Sequence, residues 1–253
     1  LKEIDNSGSR NIFKINNKKK LLSIKNKKII KSKYILEELI EGTEFGVNVI
    51  FYNKQIVKIM IFEDLLFDNG KTNVPIGHIY PIKKLYKYKK KIASITRKII
   101  DNLNLTQGFL NLDFILDKKK NIFLLEFSIR FGATGIPEIL KYTYNIDIFN
   151  LSLNSENIAY YKKILNLKNN NFYLSYLPFS NTKGILKKIA VKNAGIKNLK
   201  YCNFIKINQD VKKFNTGNHG LGIAVFEFSN YEHINKDYNH YFDIKIKKWQ
   251  LFL

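Results

Sequence analysis

Cysteine is almost missing from this chain: Cys202 stands alone among 253 residues, which excludes an internal disulfide framework. No neighbour would obviously lower its pKa, so a buried structural thiol is expected. No apolar run approaches the length of a membrane span, and nothing at the amino end resembles a secretory signal. The default expectation is therefore a cytoplasmic protein without a membrane partner. Histidine is scarce, and none of the four residues has the spacing of a zinc site. Arginine is scarcer still. Only Arg10, Arg97 and Arg130 stand against a large excess of lysine, so where they fall carries information.

Positive charge, by contrast, is abundant. The 43 basic and 21 acidic residues give a formal net charge of +22, which ordinarily suggests nucleic acid or an anionic surface. Lys, Asn, Ile, Tyr and Phe all run high together, however, as expected of an AT-rich coding bias. The lysines also fall in short scattered runs, such as Lys18 to Lys20 and Lys89 to Lys91. A basic nucleic-acid-binding module remains the reading from another class, although no recognisable module signature with interleaved aromatics is present.

The most informative stretch is a pair of apolar runs, Leu110 to Asp117 and Asn121 to Arg130. Read as antiparallel strands turning between Lys119 and Lys120, they set Asp113 directly opposite Glu126. Alternation then puts Leu110, Leu112, Phe114 and Leu116 on one face with Phe123, Leu125, Phe127 and Ile129, an expected core face. Asn111, Asp113, Ile115, Leu124, Glu126, Ser128 and Arg130 take the other. Like charges directly opposite destabilise a strand pair, whose Cβ atoms lie about 5 Å apart, and a cation between them reverses the sign. Oxygen donors without His or Cys favour Mg2+ or Mn2+ over zinc. An arginine nearby suits a phosphate or acyl-phosphate, which its planar fork binds bidentately. Taken alone, the pattern fits a solvated amphipathic hairpin equally well.

Along the rest of the chain, Leu1 to Ile4 and Ile12 to Ile15 read as strands around a small-residue loop, Asp5 to Arg10. Asn17 to Ser32 reads as a short helix. Tyr34 to Ile40, Glu44 to Tyr52 and Gln55 to Phe62 read as strands, with a turn at Asn53-Lys54. Lys71 to Pro81 is expected to be irregular, held by Pro75, Gly77 and Pro81. Lys83 to Leu103 carries a clear apolar stripe and reads as helix. Pro137 is placed to open a helix, and Ile146 to Leu153 continues as a helical segment. After Asn169-Asn170-Asn171 the texture changes to short strands, Phe172 to Leu177, Gly184 to Ile189, Lys200 to Ile207 and Gly222 to Phe228. A helix over Tyr231 to Tyr241 and a strand near Ile244 complete the chain. The expected division is 1–170 and 171–253, the second part mostly β. Beginning at Leu1 rather than Met, the chain reads as a fragment.

Taken in order, a strand lysine, a small-residue loop, the Glu37-Glu38-Leu39-Ile40-Glu41-Gly42 strand end, Glu44 and a carboxylate hairpin ending in Arg130 resemble the ATP-grasp superfamily. The amino-acid ligases and carbamoyl-phosphate-synthase-like members are the nearest in flavour. The resemblance implies an α+β fold, a partial ATP-grasp core followed by a mostly β subdomain, and the use of ATP with Mg2+ or Mn2+. It assigns Lys2 and the Gly8-Ser9-Arg10 loop to the phosphates, Glu37 to the adenine amino group and the backbone of Glu38 and Ile40 to the ring. Glu44 would meet the ribose and Ile115 the adenine face. Asp113 and Glu126 match the metal-bridging pair, and Ser128 sits where the family usually has Asn as a third ligand. Arg130 matches the arginine that steadies the transferred group.

The implied reaction activates a carboxylate as an acyl-phosphate for an amine or similar nucleophile, so both partners are small molecules. A bicarbonate-using carboxylase or carbamoyl-phosphate-type enzyme is the alternative, and a homodimer is allowed. His78, Gly132, Thr134 and Gly135 are candidates on the substrate side; a loop histidine without a catalytic task and a helix-entry turn explain them as well. The resemblance places a further phosphate-binding lysine and an amino-terminal domain ahead of Leu1, so low activity is expected of this chain alone.

Overall fold

The computed structural model describes residues 1–4, 12–26, 33–68, 73–154, 156, 169–192, 197–234 and 238–248. Its elements in chain order are β1 (Lys2–Glu3), α1 (Lys18–Asn26), β2 (Tyr34–Ile35), β3 (Gly42–Tyr52), β4 (Gln55–Asp68) and β5 (Asn73–Tyr80). A 3-10 stretch, Lys83–Tyr88, runs into α2 (Lys89–Asn102). Then come β6 (Gly108–Asp117), β7 (Ile122–Ser128), α3 (Ile136–Tyr144), α4 (Ile148–Leu153), β8 (Phe172–Tyr176), β9 (Gly184–Val191), β10 (Lys197–Asn203), β11 (Asp210–Val211), β12 (Gly222–Phe228) and β13 (Phe242–Lys247). Among the described residues no helix is long and apolar enough to cross a membrane.

An eight-stranded antiparallel sheet in the order β10-β12-β8-β5-β4-β3-β6-β7 forms the body. Strands from both sides of the Asn169–Asn171 break join it, while β11, β9 and β13 make a separate three-stranded sheet. Because both faces of the large sheet are covered, its central strands are nearly continuously apolar. Phe45, Val47, Val49 and Phe51 of β3 pack with Leu110, Leu112 and Phe114 of β6 beneath Ile92, Ile99 and Ile100 of α2. On the opposite face, Ile50, Met60, Phe62, Tyr80 and Tyr173 pack against Ile136, Ile139, Leu140 and Tyr144. There α3 covers one end of the sheet, and the other end of that face carries the polar residues described below.

Four expectations change. Residues 73–80 form a strand rather than an irregular segment. Ile76 is the extra residue of a bulge between the Leu65–Gly77 and Leu66–Pro75 pairs, a place where proline is tolerated. Gly77 is required by a neighbouring strand: a Cβ there would stand 2.1 Å from the Ser175 carbonyl oxygen. Tyr34 to Ile40 forms a strand only over Tyr34–Ile35, and two short 3-10 turns, Tyr231–His233 and Tyr238–Tyr241, replace the expected final helix. Cys202 is an exposed thiol on the edge strand β10, not a buried one.

The expected core face of β7 also fails. Asp113 does pair with Glu126 and Asn111 with Ser128, but nearer the turn Phe114 faces Leu124 and Ile115 faces Phe123, so Leu125 is a bulge. The bulge compensates for a turn at Lys118–Lys120 that is one residue longer than a two-residue hairpin. Ile122 and Leu124 therefore reach the core side instead of Phe123. Because β7 is the sheet edge, Phe123, Leu125, Phe127 and Ile129 are exposed.

Candidate functional site

The polar end of the sheet face is built by cross-strand register. On β7 and β6, Glu126 stands beside Asp113; Asp113 stands beside Gly46 on β3. Asp64 on β4 pairs with His78 on β5, and His78 with Ser175 on β8. Two short rows thus share one face, stepping by two residues between β3 and β4, where Gly46 pairs with Phe62 and Asp64 lies two positions further along the strand. Gly46 leaves a gap at the step, and Asp64 leans into it: a Cβ on Gly46 would lie 3.0 Å from Asp64 Oδ1. Asp64 Oδ1 is 2.9 Å from His78 Nδ1, with both side chains largely buried. A further row holds Ser128, Asn111 and the fully buried Asn48.

Asp113 is the electrostatic centre. Its pKa rises from 3.8 to about 7, first through burial and then through the Asp64 and Glu126 carboxylates, opposed by His78 and by a hydrogen bond from Asn111. Lys2 in β1 lies over this end of the sheet, its Nζ 3.5 Å from Glu126 Oε2. Arg130 is exposed just beyond β7 and donates to the Phe131 carbonyl at 2.7 Å. The chain then turns through Gly132, Thr134 in the left-handed region (φ 55°) and Gly135 (φ 86°) into α3. Ser175 Oγ donates to the Thr134 carbonyl at 2.8 Å and accepts from the His78 N–H at 3.0 Å.

The remaining sequence candidates distribute unevenly. Glu44 and the buried Ile115 are cross-strand partners on the same face, and Glu44 accepts from Asn73 Nδ2 at 3.2 Å. Glu37, Glu38 and the half-buried Ile40 lie in the irregular approach to β3. Gly8, Ser9 and Arg10 fall outside the described residues. His78 belongs to a strand rather than a loop. Sequence reasoning missed Asp64, Asn48 and Ser175, all of which the register brings to the site.

The donor set suits a hard divalent cation. Among the described residues no group of three or more His, Cys, Asp and Glu forms a metal cage. Mg2+ rarely needs one, since one or two carboxylates plus substrate phosphates and water complete its shell. A half-buried carboxylate whose proton is favoured first by desolvation and then by two neighbouring acids is a position where added positive charge is favoured.

A pH dependence follows. Between about 3.8 and about 7 folded Asp113 holds more proton than it does unfolded, so the metal-free protein is expected to lose stability as pH rises through that interval. A divalent ion competes with the same proton. The thermal shift produced by Mn2+ is therefore expected to be larger at about pH 8 than at about pH 5.5. Melting curves with and without Mn2+ at the two pH values check this, and equal shifts would refute it.

A family profile described as an ATP-grasp domain matches residues 1–134, more than half of the chain. The chain belongs to the ATP-grasp family. Among solved structures, phosphoribosylglycinamide synthetase from Anaerococcus prevotii aligns with a TM-score of 0.74 at 23% identity, over 94% of this chain and 63% of its own. The L-amino acid ligase from Bacillus licheniformis aligns with a TM-score of 0.76 at 15% identity, over 96% of this chain and 63% of its own. The biotin carboxylase domain of Hydrogenobacter thermophilus 2-oxoglutarate carboxylase, in complex with MgADP and bicarbonate, aligns with a TM-score of 0.62 at 11% identity, over 83% and 48%. At these identities the likeness establishes the α+β ATP-grasp fold. The chain spans about 63% of the length of the first two. Curated protein sequences gave no match.

Proposed function

We propose that this chain forms the nucleotide-binding and phosphoryl-transfer portion of an ATP- and Mg2+-dependent ligase. In this reading a carboxylate is activated as an acyl-phosphate and then attacked by an amine or similar nucleophile. The observation that carries it is the direct pairing of Asp113 with Glu126 on a polar sheet face, Lys2 lying on Glu126 and Arg130 following two residues beyond Ser128.

Asp113 and Glu126 would hold Mg2+, with Ser128 completing the donor set directly or through water, and the ion would supply positive charge against the phosphate tail. Lys2 and the Gly8-Ser9-Arg10 segment bind the phosphate tail. Glu44 takes the ribose, Ile115 packs against the adenine, Glu37 accepts from its amino group, and the backbone of Glu38 and Ile40 bonds the ring. Arg130 clamps the transferred phosphoryl group. His78, fixed by Asp64, and the Gly132–Thr134 turn face the acceptor. No side-chain nucleophile is needed, because the residues act by placing reactants and stabilising developing charge.

A bicarbonate-using carboxylase shares the same nucleotide end, and the likeness to a biotin carboxylase domain keeps that reading open. ADP release measured with Mg2+ against a panel of amino acids, sugar acids and bicarbonate, each with and without ammonia or an amine, separates the two. Release stimulated by an organic carboxylate plus an amine supports the ligase. Release stimulated by bicarbonate alone supports the carboxylase. ADP release that is the same with and without a divalent ion, or steeply salt-dependent binding to RNA without a nucleotide effect, overturns both.

A further inference from the structure

We propose that Asn48 is a positioning residue that locks the metal carboxylate Asp113 and the substrate-side turn at Gly132 into one unit; this rests on the assignment of Asp113 to the cation. Asn48 lies in the middle of β3 and is fully buried between Val47 and Val49. An amide in such a place requires partners for all its polar atoms. The partners form a line. The Gly132 N–H donates to Asn48 Oδ1 at 2.8 Å, Asn48 Nδ2 donates to Asn111 Oδ1 at 3.1 Å, and Asn111 Nδ2 donates to Asp113 Oδ1 at 3.2 Å.

The direction of this line is set by the backbone. A main-chain N–H can only donate, so Asn48 must turn its oxygen toward Gly132 and its nitrogen toward Asn111. Asn111 must then present its own oxygen to Asn48 and its nitrogen to Asp113. The turn after Arg130 therefore decides that Asp113 receives a hydrogen bond, which fixes the orientation of its carboxylate. Flipping either amide would set oxygen against oxygen at Asp113 or leave a buried N–H without an acceptor. Gly132 is pressed against the line as well: a Cβ there would lie 2.6 Å from Asn111 Oδ1 and 3.2 Å from Asn48 Nδ2.

Two variants separate this role from packing. Asn48→Leu keeps the size and removes both arms; Asn48→Asp keeps the acceptor for Gly132 and removes the donor to Asn111. Amide hydrogen exchange and side-chain amide resonances of the full metal-free chain, and Mn2+ binding followed by electron paramagnetic resonance, are the readouts. In Asn48→Leu the Gly132 amide is expected to exchange at least about tenfold faster and the Mn2+ dissociation constant to rise about tenfold, as when an outer-shell partner of a metal ligand is lost. In Asn48→Asp the Gly132 amide stays protected while the Asn111 side-chain amide, its oxygen now facing a carboxylate, turns its nitrogen toward that carboxylate and its resonances shift. Unchanged Gly132 exchange in a folded Asn48→Leu protein overturns the proposal. If that variant does not fold, unchanged Asn111 side-chain amide resonances in Asn48→Asp overturn it instead. Absence of Mn2+ binding by the wild-type chain refutes the metal assignment, and with it the Asp113 half of this proposal, while the Gly132 exchange still decides whether Asn48 holds the turn.

Discussion

Replacing Glu126 by Gln is expected to lower Mg2+-dependent ATP turnover by at least about a hundredfold, the usual scale for removing one group that stabilises transition-state charge, while the melting temperature barely moves. The side chain is mostly exposed on the edge strand and contributes no core packing. Its ion pair with Lys2 at 3.5 Å is open to solvent and adds little to stability. Gln keeps the size and one carbonyl oxygen but loses the negative charge that faces the half-buried Asp113. With one neighbouring carboxylate gone, Asp113 is also expected to titrate at lower pH, since Glu126 is among the charges holding its pKa up. The variant therefore separates two effects: weaker Mn2+ binding, and a pH profile shifted to the acid side. Steady-state ADP release and Mn2+ titration check both. Unchanged turnover would remove Glu126 from the metal site.

The second large effect concerns the scaffold. Phe114 is fully buried next to Asp113 in sequence and stacks on Phe45 across the β3–β6 pair, with ring centroids 5.4 Å apart and planes 13° from parallel. Phe114→Ala is expected to cost about 3–5 kcal/mol, because a close-packed core leaves a cavity where the ring was. That is a large fraction of the 5–15 kcal/mol typical of a whole domain. Phe45→Ala should cost about as much, and the double variant less than the sum by about 0.5–1.5 kcal/mol, the coupling of an aromatic pair. Urea midpoints for the four proteins measure this; strict additivity would mean that the two rings do not act together.

How far the sequence revealed the site depends on how local each contact is. Asp113 and Glu126 belong to one hairpin, and a two-residue turn read from the sequence sets them face to face; in the structure a turn one residue longer and the Leu125 bulge offset each other and keep the same pair. Alternation failed for Phe123 because the longer turn and the Leu125 bulge are not visible in an apolar run. Asp64 and His78 meet through the β4–β5 pair, and β5 was hidden by Pro75 and Gly77, residues that read as breakers until a bulge and the close approach of β8 explain them. Asn48 did leave a signal: a lone amide inside Gly46-Val47-Asn48-Val49-Ile50 is out of place in a buried strand. Its partners, 63 and 84 residues along the chain, could not be read without the register.

The extra residue in β7 also gives the hairpin slack. In a ladder without slack, adding or removing one residue at Lys118–Lys120 would rotate every later side chain by half a turn and carry Glu126 to the α2 side of the sheet. Here the bulge can take up or release that residue instead. A change of one residue at the tip can thus be absorbed while the two acids stay opposite each other, a mechanical decoupling of the turn from the pair.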